Sequence, residues 1–280
     1  MELFDEPMAK HTTLKIGGPA RKLIIPESEE ELLSAVRQCR GDGTPFRIVG
    51  NGSNILVNDK GLDEVIIKNT RACLRLECEG QKIYAGASVK IQRFVRFCAE
   101  HELGGFEYLI SVPATVGGVV FMNAGRGRHL NQQISNGIIS VRVFDGEKIF
   151  ELNKDECQFR YRESIFHWKS NWVILGAFLE LKAQDRSIGE QAIQERKDFV
   201  RELQDYRDPS AGSVFKSGRL FVFKRAQGLK VGDAEFSKKT VNWISNRGQA
   251  KARDVLKLIK IVKWMNWLTF KKAKEELRLW

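Results

Sequence analysis

A glycine-centred stretch near the middle of the chain is well suited to binding a ligand. It runs from Ser111 to Gly125 and reads SVPATVGGVVFMNAG. The adjacent Gly117 and Gly118 would let the backbone approach a flat or charged ligand where a side chain would collide. Exposed N–H groups in such a turn can bind phosphate oxygens or a polar heterocycle. The stretch therefore predicts either a ligand-binding turn or a tight turn before a buried strand at Val119–Met122.

A second glycine loop, GNGSN at Gly50–Asn54, follows an apolar strand predicted at Phe46–Val49. It begins like the GxGxxG dinucleotide fingerprint, but Ile55 stands where the third glycine belongs. No helix is expected after it, because Ile55–Val57 reads as a strand. A Rossmann fold is therefore excluded. The N–H groups of the loop, with Ser53 and Asn54, could still bind a pyrophosphate.

The surrounding pattern predicts the elements that position these loops. Ser28 caps a helix predicted at Glu29–Arg40, with Glu31 in the capping-box position. Further helices are predicted at Ile91–Glu100, Gln191–Leu203 and Ala252–Trp267, with a linker at residues 183–190. Strands are predicted between His11 and Ala20 and at Arg21–Ile25, Val65–Ile67, Cys73–Glu77, Lys82–Ala87, Ile138–Phe144, Glu147–Leu152 and Trp172–Leu181. We therefore expect an α+β first part and a smaller, basic second part.

Composition narrows the class of protein. The chain has 280 residues, 42% of them hydrophobic and 29% charged, as in ordinary globular proteins. No apolar run reaches the roughly 20 residues that span a bilayer, so we expect a cytoplasmic protein without a membrane partner. The five cysteines include no CxxC pair. We expect free thiols and no metal site.

Positive charge is concentrated at the end of the chain. The net charge is +11, and the last thirty residues hold nine Lys or Arg against three acids. Such a surface could bind nucleic acid or attract a polyanionic small substrate. Trp264, Trp267 and Trp280 lie among these lysines and could stack on bases. The i, i+3 spacing of Trp264 and Trp267 instead favours the core face of a helix.

Six segments, taken in order, resemble the UDP-N-acetylenolpyruvoylglucosamine reductase (MurB) family. They are IGGPA at Ile16–Ala20, GNGSN at Gly50–Asn54, PATVGGVVFMNAG at Pro113–Gly125, FRYRESIF at Phe159–Phe166, PSAGSVFK at Pro209–Lys216 and the ending EELRLW. The resemblance runs from about His11 to Trp280. It implies an α+β fold, with a vanillyl-alcohol-oxidase-type FAD-binding domain of two α+β subdomains and a C-terminal α+β substrate-binding domain. The implied boundaries are 1–70, 71–185 and 186–280.

The same resemblance implies an enzyme of peptidoglycan precursor synthesis. Noncovalent FAD would be reduced by NADPH and would then reduce an enolpyruvyl UDP-sugar; a monomer without nucleic acid is expected. The implied FAD contacts are Ile16, Gly17, Gly18, Pro19, Gly50, Asn51, Gly52, Ser53, Asn54, Pro113, Ala114, Thr115, Gly117, Gly118, Asn123, Ala124 and Gly125.

Six further residues stand at the family's substrate and catalytic positions. The resemblance implies that Arg162 stabilises the reaction intermediate, that Ser213 donates a proton and that Glu276 works with the arginine. A guanidinium suits a carboxylate because it stays charged and binds in a two-point geometry. The implied substrate contacts are Tyr161, Lys216 and Ser217.

The chain also departs from the family pattern. Ala114 replaces a glycine, Ser217 an asparagine, Thr240 a histidine and Glu275 a proline. The last change leaves open whether Glu275 or Glu276 is the functional carboxylate. Two alternatives therefore stand beside the main interpretation: a related FAD-dependent oxidoreductase with another substrate, and a non-catalytic basic binding protein.

Overall fold

A computed structural model describes residues 1–280, apart from the side chain of Arg128. The chain forms two compact units. Unit 1 comprises residues 1–3, 23–51 and 64–199, and unit 2 comprises residues 4–22, 52–63 and 200–280.

The strands and helices have the following bounds. The strands are β1 Glu2–Pro7, β2 Pro19–Ile24, β3 Phe46–Val49, β4 Ile55–Leu56, β5 Leu62–Lys68, β6 Leu76–Glu79, β7 Lys82–Gly86, β8 Leu103–Gly104, β9 Gly125–Arg126, β10 Gln132–Gln133, β11 Ile138–Phe144, β12 Ile149–Asn153, β13 Val173–Glu180, β14 Lys182–Ala183, β15 Ser210–Ser213, β16 Phe215–Ser217, β17 Lys230–Val231, β18 Ala234–Phe236, β19 Trp243–Asn246, β20 Lys274–Glu275 and β21 Arg278–Leu279. The α-helices are α1 Glu29–Gly41, α2 Ile91–Glu100, α3 Val116–Phe121, α4 Arg186–Leu203, α5 Leu220–Arg225 and α6 Ala252–Trp267. Short 3₁₀ helices lie at Met8–His11, Glu107–Ser111, Arg128–Leu130, Ile134–Asn136 and Ile165–His167.

Unit 1 is built on an antiparallel sheet of five strands in the order β12-β11-β13-β7-β6. Helix α2 buries Ile91, Phe94, Val95 and Cys98, at the i, i+3, i+4, i+7 spacing of an amphipathic helix. Strands β3 and β5 pair in parallel over Phe46–Val49, so the Gly50–Asn54 loop leaves from the end of a paired strand.

Several predicted elements of unit 1 are confirmed. Helix α1 begins after Ser28, whose hydroxyl accepts the N–H of Glu31 at 3.2 Å. The Glu31 carboxylate accepts the N–H of Glu27, not that of Ser28, which is one residue away from the predicted capping box. Helix α2 and strand β11 have the predicted bounds.

Unit 2 is built on a sheet in the order β15-β19-β18-β17, against which α6 packs. Helix α6 also has the predicted bounds, and it buries Ala252, Val255, Leu258, Ile259, Val262 and Asn266. The last residues return to the sheet regions, since β20 pairs with β16 and β21 pairs in parallel with β4.

Three predicted elements are wrong. Val119–Met122 belongs mainly to helix α3, because an apolar run this short is compatible with either periodicity and Thr115 caps a helix. The segment at 183–190 is not a linker, because Asp185 accepts the N–H of Ser187 and helix α4 starts at Arg186. The strand expected between His11 and Ala20 is irregular backbone up to Pro19.

Within the described part of the chain, no helix has the length and apolarity needed to cross a membrane.

Candidate active site

The central glycine stretch opens helix α3 and is not a free turn. The Thr115 hydroxyl accepts the N–H of Gly118 at 3.4 Å. The N–H groups of Val116 and Gly117 donate to the carbonyls of Val89 and Ala87, and that of Val119 donates to Thr115. These donors are all used within the protein, so Gly117 and Gly118 offer no free N–H group to a phosphate, and their contact with FAD stays a prediction.

The two glycines of this stretch have different reasons to be small. A Cβ on Gly117 would lie 3.0 Å from the Cβ of Ala87, a tight contact, so packing within unit 1 favours glycine there. A Cβ on Gly118 would meet no atom closer than the Thr115 hydroxyl at 3.6 Å, and Gly118 has no left-handed φ. The fold itself therefore does not need glycine at residue 118, which has open space beside it.

Within unit 1, the start of the second glycine loop lies against the central stretch. The Asn51 side-chain amide donates to the carbonyl of Pro113 at 2.7 Å. A Cβ on Gly50 would lie 2.5 Å from the Thr115 hydroxyl, so glycine permits this approach. The structure thus brings together two stretches that the sequence separates by about sixty residues.

Ala114 faces the hydrophobic core of unit 1. Its carbonyl accepts the N–H of Ile91, which fixes the turn ahead of α3. The Ala114 methyl group is therefore part of the packing of unit 1, and its contact with FAD stays a prediction.

Asn123 joins the end of α3 to the segment that carries Arg162. It is buried, and its amide donates to Gln133 at 2.7 Å and to the carbonyl of Arg160 at 2.9 Å. Its side-chain oxygen accepts the N–H of Ser135. The side chain expected to contact FAD therefore has protein partners at both polar atoms and positions the Arg160 segment.

Arg162 lies in a two-residue hairpin turn. The N–H and carbonyl groups of Arg160 and Glu163 pair at 3.0 Å in both directions. Arg162 has a φ of +59°, a left-handed conformation that is unfavourable for residues with a Cβ. The next residue after the turn, Ser164, is buried and donates its hydroxyl to the carbonyl of Phe121.

The half-buried Arg162 guanidinium lies against backbone carbonyls of the central stretch. It donates to Gly125 at 2.6 Å and to Asn123 at 3.4 Å, and its carbon lies 5.0 Å from the ring centroid of Tyr161. Ala124 lies between those two carbonyls in the chain. The strained turn thus aims a fixed cation at the Asn123–Gly125 segment.

In unit 2, the first glycine motif folds against its own neighbours. The buried Ile16 belongs to the core of this unit. The carbonyls of Gly17 and Gly18 accept N–H groups of Ala9 and Met8, and a Cβ on Gly18 would collide with the Asp59 carbonyl at 2.3 Å. Pro19, at the start of β2, is exposed.

The unit 2 part of the second loop retains unused donors. Gly52 has a φ of +65°, and a Cβ there would lie 2.2 Å from the His11 carbonyl. Among the described residues, the backbone N–H groups of Gly52 and Ser53 donate no hydrogen bond. Because Gly52 is buried, its donor calls for a partner, which suits the expected pyrophosphate.

The C-terminal tail lies between this loop and Val214, the residue that joins β15 to β16. The Asn54 amide donates to the Glu276 carbonyl at 3.1 Å, and the Glu276 N–H donates to Val214 at 2.8 Å. The neighbouring Glu275 carboxylate pairs with Lys263 of α6 at 2.8 Å. The Glu275 carboxylate is therefore engaged with α6, and the assignment of Glu276 as the tail carboxylate stays a prediction.

Ser213 is the last residue of β15 and is exposed. The preceding Gly212 has a φ of +76°, which creates the bulge between the β15–β19 pairs Ser210–Ser245 and Ser213–Trp243. Lys216 and Ser217 follow on β16 and are half-buried. Ser213 and Glu276 therefore flank the same residue, Val214, one through the chain and one through a hydrogen bond.

An ionic network around the buried Asp205 anchors the loop before β15, and sequence reasoning missed it. Asp205 has a side-chain exposure of 0% and accepts hydrogen bonds from Arg207 at 3.1 Å and Ser237 at 2.9 Å. Arg247 contacts Asp205, Asp208 and Glu235. These residues are up to 42 positions apart, between Asp205 and Arg247, so no local spacing could have indicated the cluster.

Thr240 also belongs to this region. Its hydroxyl accepts the N–H of Asp205 and donates to the carbonyl of Leu203 at the end of α4. The residue that replaces the family histidine therefore has a structural role here.

Comparison with known proteins agrees with this geometry. Residues 20–148 match the model of the FAD binding domain family. Residues 204–265 match the C-terminal domain of UDP-N-acetylenolpyruvoylglucosamine reductase. The reductase of that name from Desulforamulus reducens is 37% identical over 269 residues, which cover 94% of this chain and 88% of the relative.

The chain belongs to the UDP-N-acetylenolpyruvoylglucosamine reductase family. A second reductase of this family, from Pseudothermotoga lettingae, is also 37% identical, and the aligned residues make up 93% of this chain and 90% of the relative. The crystal structure of the family member from Thermus caldophilus matches with a TM-score of 0.82 at 32% identity, over 100% of this chain and 98% of that one. The predicted α+β fold, with a vanillyl-alcohol-oxidase-type FAD-binding domain and a family-specific C-terminal domain, is confirmed.

Proposed function

We propose that this chain is an FAD- and NADPH-dependent oxidoreductase that reduces UDP-N-acetylglucosamine enolpyruvate to UDP-N-acetylmuramate, a step in peptidoglycan precursor synthesis. The observation that carries the proposal is the similarity to reductases of this name over almost the whole chain, at 37% identity. It includes both the FAD-binding part and the C-terminal part.

FAD would accept a hydride from NADPH and deliver it to the double bond of the enolpyruvyl group. Two features of the chain fit noncovalent FAD: the open space beside Gly118 and the unused N–H groups of Gly52 and Ser53. All of the predicted FAD residues stay predictions. Several of them, such as Gly17, Gly18 and Asn123, also have packing or hydrogen-bonding roles within the protein.

Arg162 would stabilise negative charge that develops on the substrate carboxylate. Its turn fixes the backbone, and the Gly125 and Asn123 carbonyls orient the guanidinium. A cation that is oriented before the reaction needs little rearrangement as charge develops, which is the main source of electrostatic catalysis. Tyr161, stacked under the guanidinium, would bind the substrate beside it.

Ser213 would donate the proton that completes the reduction. Its exposed hydroxyl follows the left-handed Gly212, and Lys216 lies three residues further on. A hydroxyl is a weak acid, so proton transfer requires a strongly basic carbon and a positive surrounding. Lys216 and Ser217 would contact the sugar nucleotide, and Glu276 would act with Arg162.

The cellular location, the oligomeric state and the subdomain boundaries belong to the same proposal. We infer a cytoplasmic monomer that binds the UDP-sugar and no nucleic acid, with subdomains 1–70, 71–185 and 186–280. All five cysteines are free, as expected in a reducing compartment. Burial raises the pKa of the Cys73 thiol to about 12, which keeps it protonated and unreactive.

Steady-state kinetics test the proposal. NADPH oxidation should require the enolpyruvyl sugar nucleotide, and mass spectrometry should show a product that has gained two hydrogens. A flavin-containing protein that oxidises NADPH without responding to this substrate would instead favour the related flavoenzyme with another substrate.

A further inference from the structure

The outer face of helix α6 carries two exposed tryptophans. Arg253, Lys257, Lys260, Trp264 and Trp267 lie three or four residues apart and therefore share one face. All five are exposed, with Trp264 at 60% and Trp267 at 65%. The opposite face fills the core of unit 2, so the expectation that both tryptophans line the core is wrong.

Further exposed apolar side chains lie at the same end of α6. Leu268 and Phe270 follow the helix, and Phe270 is 100% exposed. The Arg219 N–H donates to the Asn266 side chain at 2.8 Å, which brings the exposed Leu220 and Phe221 of α5 to this end of α6. We define the tryptophan patch as Leu220, Phe221, Trp264, Trp267, Leu268 and Phe270.

The patch is bordered by cations. Lys257 and Lys260 precede the tryptophans on the helix, and Lys271 and Lys272 follow Phe270. All four are exposed, and none forms an ion pair with another described residue. Lys263, in contrast, is paired with Glu275. The patch therefore combines large apolar side chains with at least four uncompensated positive charges.

We propose that the tryptophan patch binds the surface of an anionic lipid bilayer. Tryptophan is favoured at the membrane–water interface because its ring is amphipathic, and exposed Leu and Phe side chains can enter the acyl boundary. The bordering lysines complement acidic headgroups. Four of the six patch residues are Leu or Phe, which carry no ring nitrogen to donate to a base. Leu220 and Leu268 also cannot stack on bases, so nucleic acid fits less well.

This surface contact differs from membrane spanning. The expectation of no membrane partner rested on the lack of a long apolar segment, a criterion that does not detect a surface patch. The patch residues include none of the residues proposed for FAD or substrate, so the inference does not depend on the proposed function.

Vesicle sedimentation tests the inference with the full-length flavoprotein. One set of vesicles contains equal amounts of phosphatidylcholine and phosphatidylglycerol, and the other contains phosphatidylcholine alone. Wild-type protein should sediment with the anionic vesicles at low salt, and its tryptophan emission should shift to the blue. The double variants Trp264→Ser/Trp267→Ser and Lys257→Gln/Lys260→Gln should each bind about tenfold or more weakly.

Matched controls use equally exposed residues of unit 1. Trp168→Ser and Lys148→Gln/Lys154→Gln remove the same chemistry away from the patch and should bind like wild type. Circular dichroism and flavin content should be unchanged in every variant, so that a loss of binding does not report unfolding.

Four results would overturn the inference. The first is that wild-type protein stays in the supernatant, and the second is that it binds neutral and anionic vesicles equally. The third is that the patch variants bind anionic vesicles as well as the controls do. The fourth is that light scattering shows a dimer that the tryptophan variant converts to a monomer. Tighter binding to single-stranded oligothymidylate than to anionic vesicles, lost in the same variants, would assign the patch to nucleic acid and also contradict it.

Discussion

The side-chain amide of Asn54 donates a hydrogen bond to the carbonyl of Glu276 at 3.1 Å. This contact connects the second glycine loop with the C-terminal tail across 222 positions of sequence. Because the Glu276 N–H also binds the Val214 carbonyl, the tail, the loop and the strand that carries Ser213 are fixed to each other within unit 2. The positions of Ser213 and Glu276 are thus linked through backbone hydrogen bonds at Val214.

Replacing Ser213 should separate the two halves of the reaction. Ser213→Ala should leave reduction of the flavin by NADPH nearly intact, because hydride transfer to the cofactor needs no proton donor for the substrate. It should slow reoxidation by the enolpyruvyl substrate by a factor of about 10²–10⁴, the scale of a positioned general acid. Stopped-flow absorbance measures both steps, and Ser170→Ala, an exposed serine of unit 1, is the matched control. Wild-type reoxidation by Ser213→Ala would show that Ser213 is not the acid.

Two substitutions of Arg162 should separate backbone strain from charge. Both Arg162→Gly and Arg162→Ala remove the guanidinium and should abolish turnover. At a φ of +59°, glycine should leave the protein more stable than alanine by about 1 kcal/mol, since only alanine pays the left-handed penalty. Urea unfolding of the two variants measures this difference. Equal stabilities would mean that the turn is not strained.

A methyl group at Gly118 should act on the cofactor and not on the fold. Gly118→Ala places its Cβ in open space and improves helix propensity by ~1 kcal/mol, so the flavin-free protein should be at least as stable as wild type. FAD affinity should fall, and the larger Gly118→Val should abolish binding. The matched change Gly117→Ala should instead lower the free energy of unfolding, because its Cβ would lie 3.0 Å from Ala87. Titration of the apoprotein with FAD measures the effect on cofactor affinity, and thermal unfolding measures the effect on stability. A Gly118→Val protein that stays yellow would contradict the proposed position of Gly118 beside FAD.

The central stretch, Ser111–Gly125, shows how much of the candidate site could be predicted from the sequence. Its composition and order, with the other motifs, sufficed to identify the family and the α+β fold. The strand predicted at Val119–Met122 was wrong because the sequence VVFM suits a strand and a short helix equally. The hydrogen bond from the Gly118 N–H to the Thr115 hydroxyl decides in favour of the helix. Because this stretch is helical, the N–H groups of Gly117 and Gly118, which the sequence suggested could bind a ligand, donate hydrogen bonds within the protein.

Contacts between distant segments were beyond any local pattern. The pairing of Glu275 with Lys263 and the protein partners of Asn123 depend on tertiary packing. The exposure of Trp264 and Trp267 illustrates the same limit. Their spacing permits the core face, but Val255, Leu258, Ile259 and Val262 already occupy it.

The Asp205 network should make stability depend on pH. Burial acts to raise the pKa of Asp205, but hydrogen bonds from Arg207 and Ser237 and the charges of Arg207 and Arg247 outweigh it, so the pKa is lowered. A lowered folded-state pKa means that the carboxylate stabilises the fold above the unfolded-state pKa of roughly 3.9, and that this stability is lost as the pH falls through the folded-state value.

Asp205→Asn should therefore be less stable than wild type at pH 6, and the difference should narrow as the pH is lowered toward 3. Urea unfolding at several pH values measures the gap, with the exposed Asp155→Asn as control. A gap that stays constant with pH would assign the loss to altered packing and contradict the electrostatic explanation.

A single-turnover experiment tests the proposed activity most directly. The purified flavoprotein is reduced with one equivalent of NADPH without oxygen and is then mixed with UDP-N-acetylglucosamine enolpyruvate. We predict that the absorbance of oxidised flavin returns in a single turnover and that UDP-N-acetylmuramate forms in equal amount. Flavin that stays reduced after this substrate is added, in protein that oxygen still reoxidises, would contradict the proposed function.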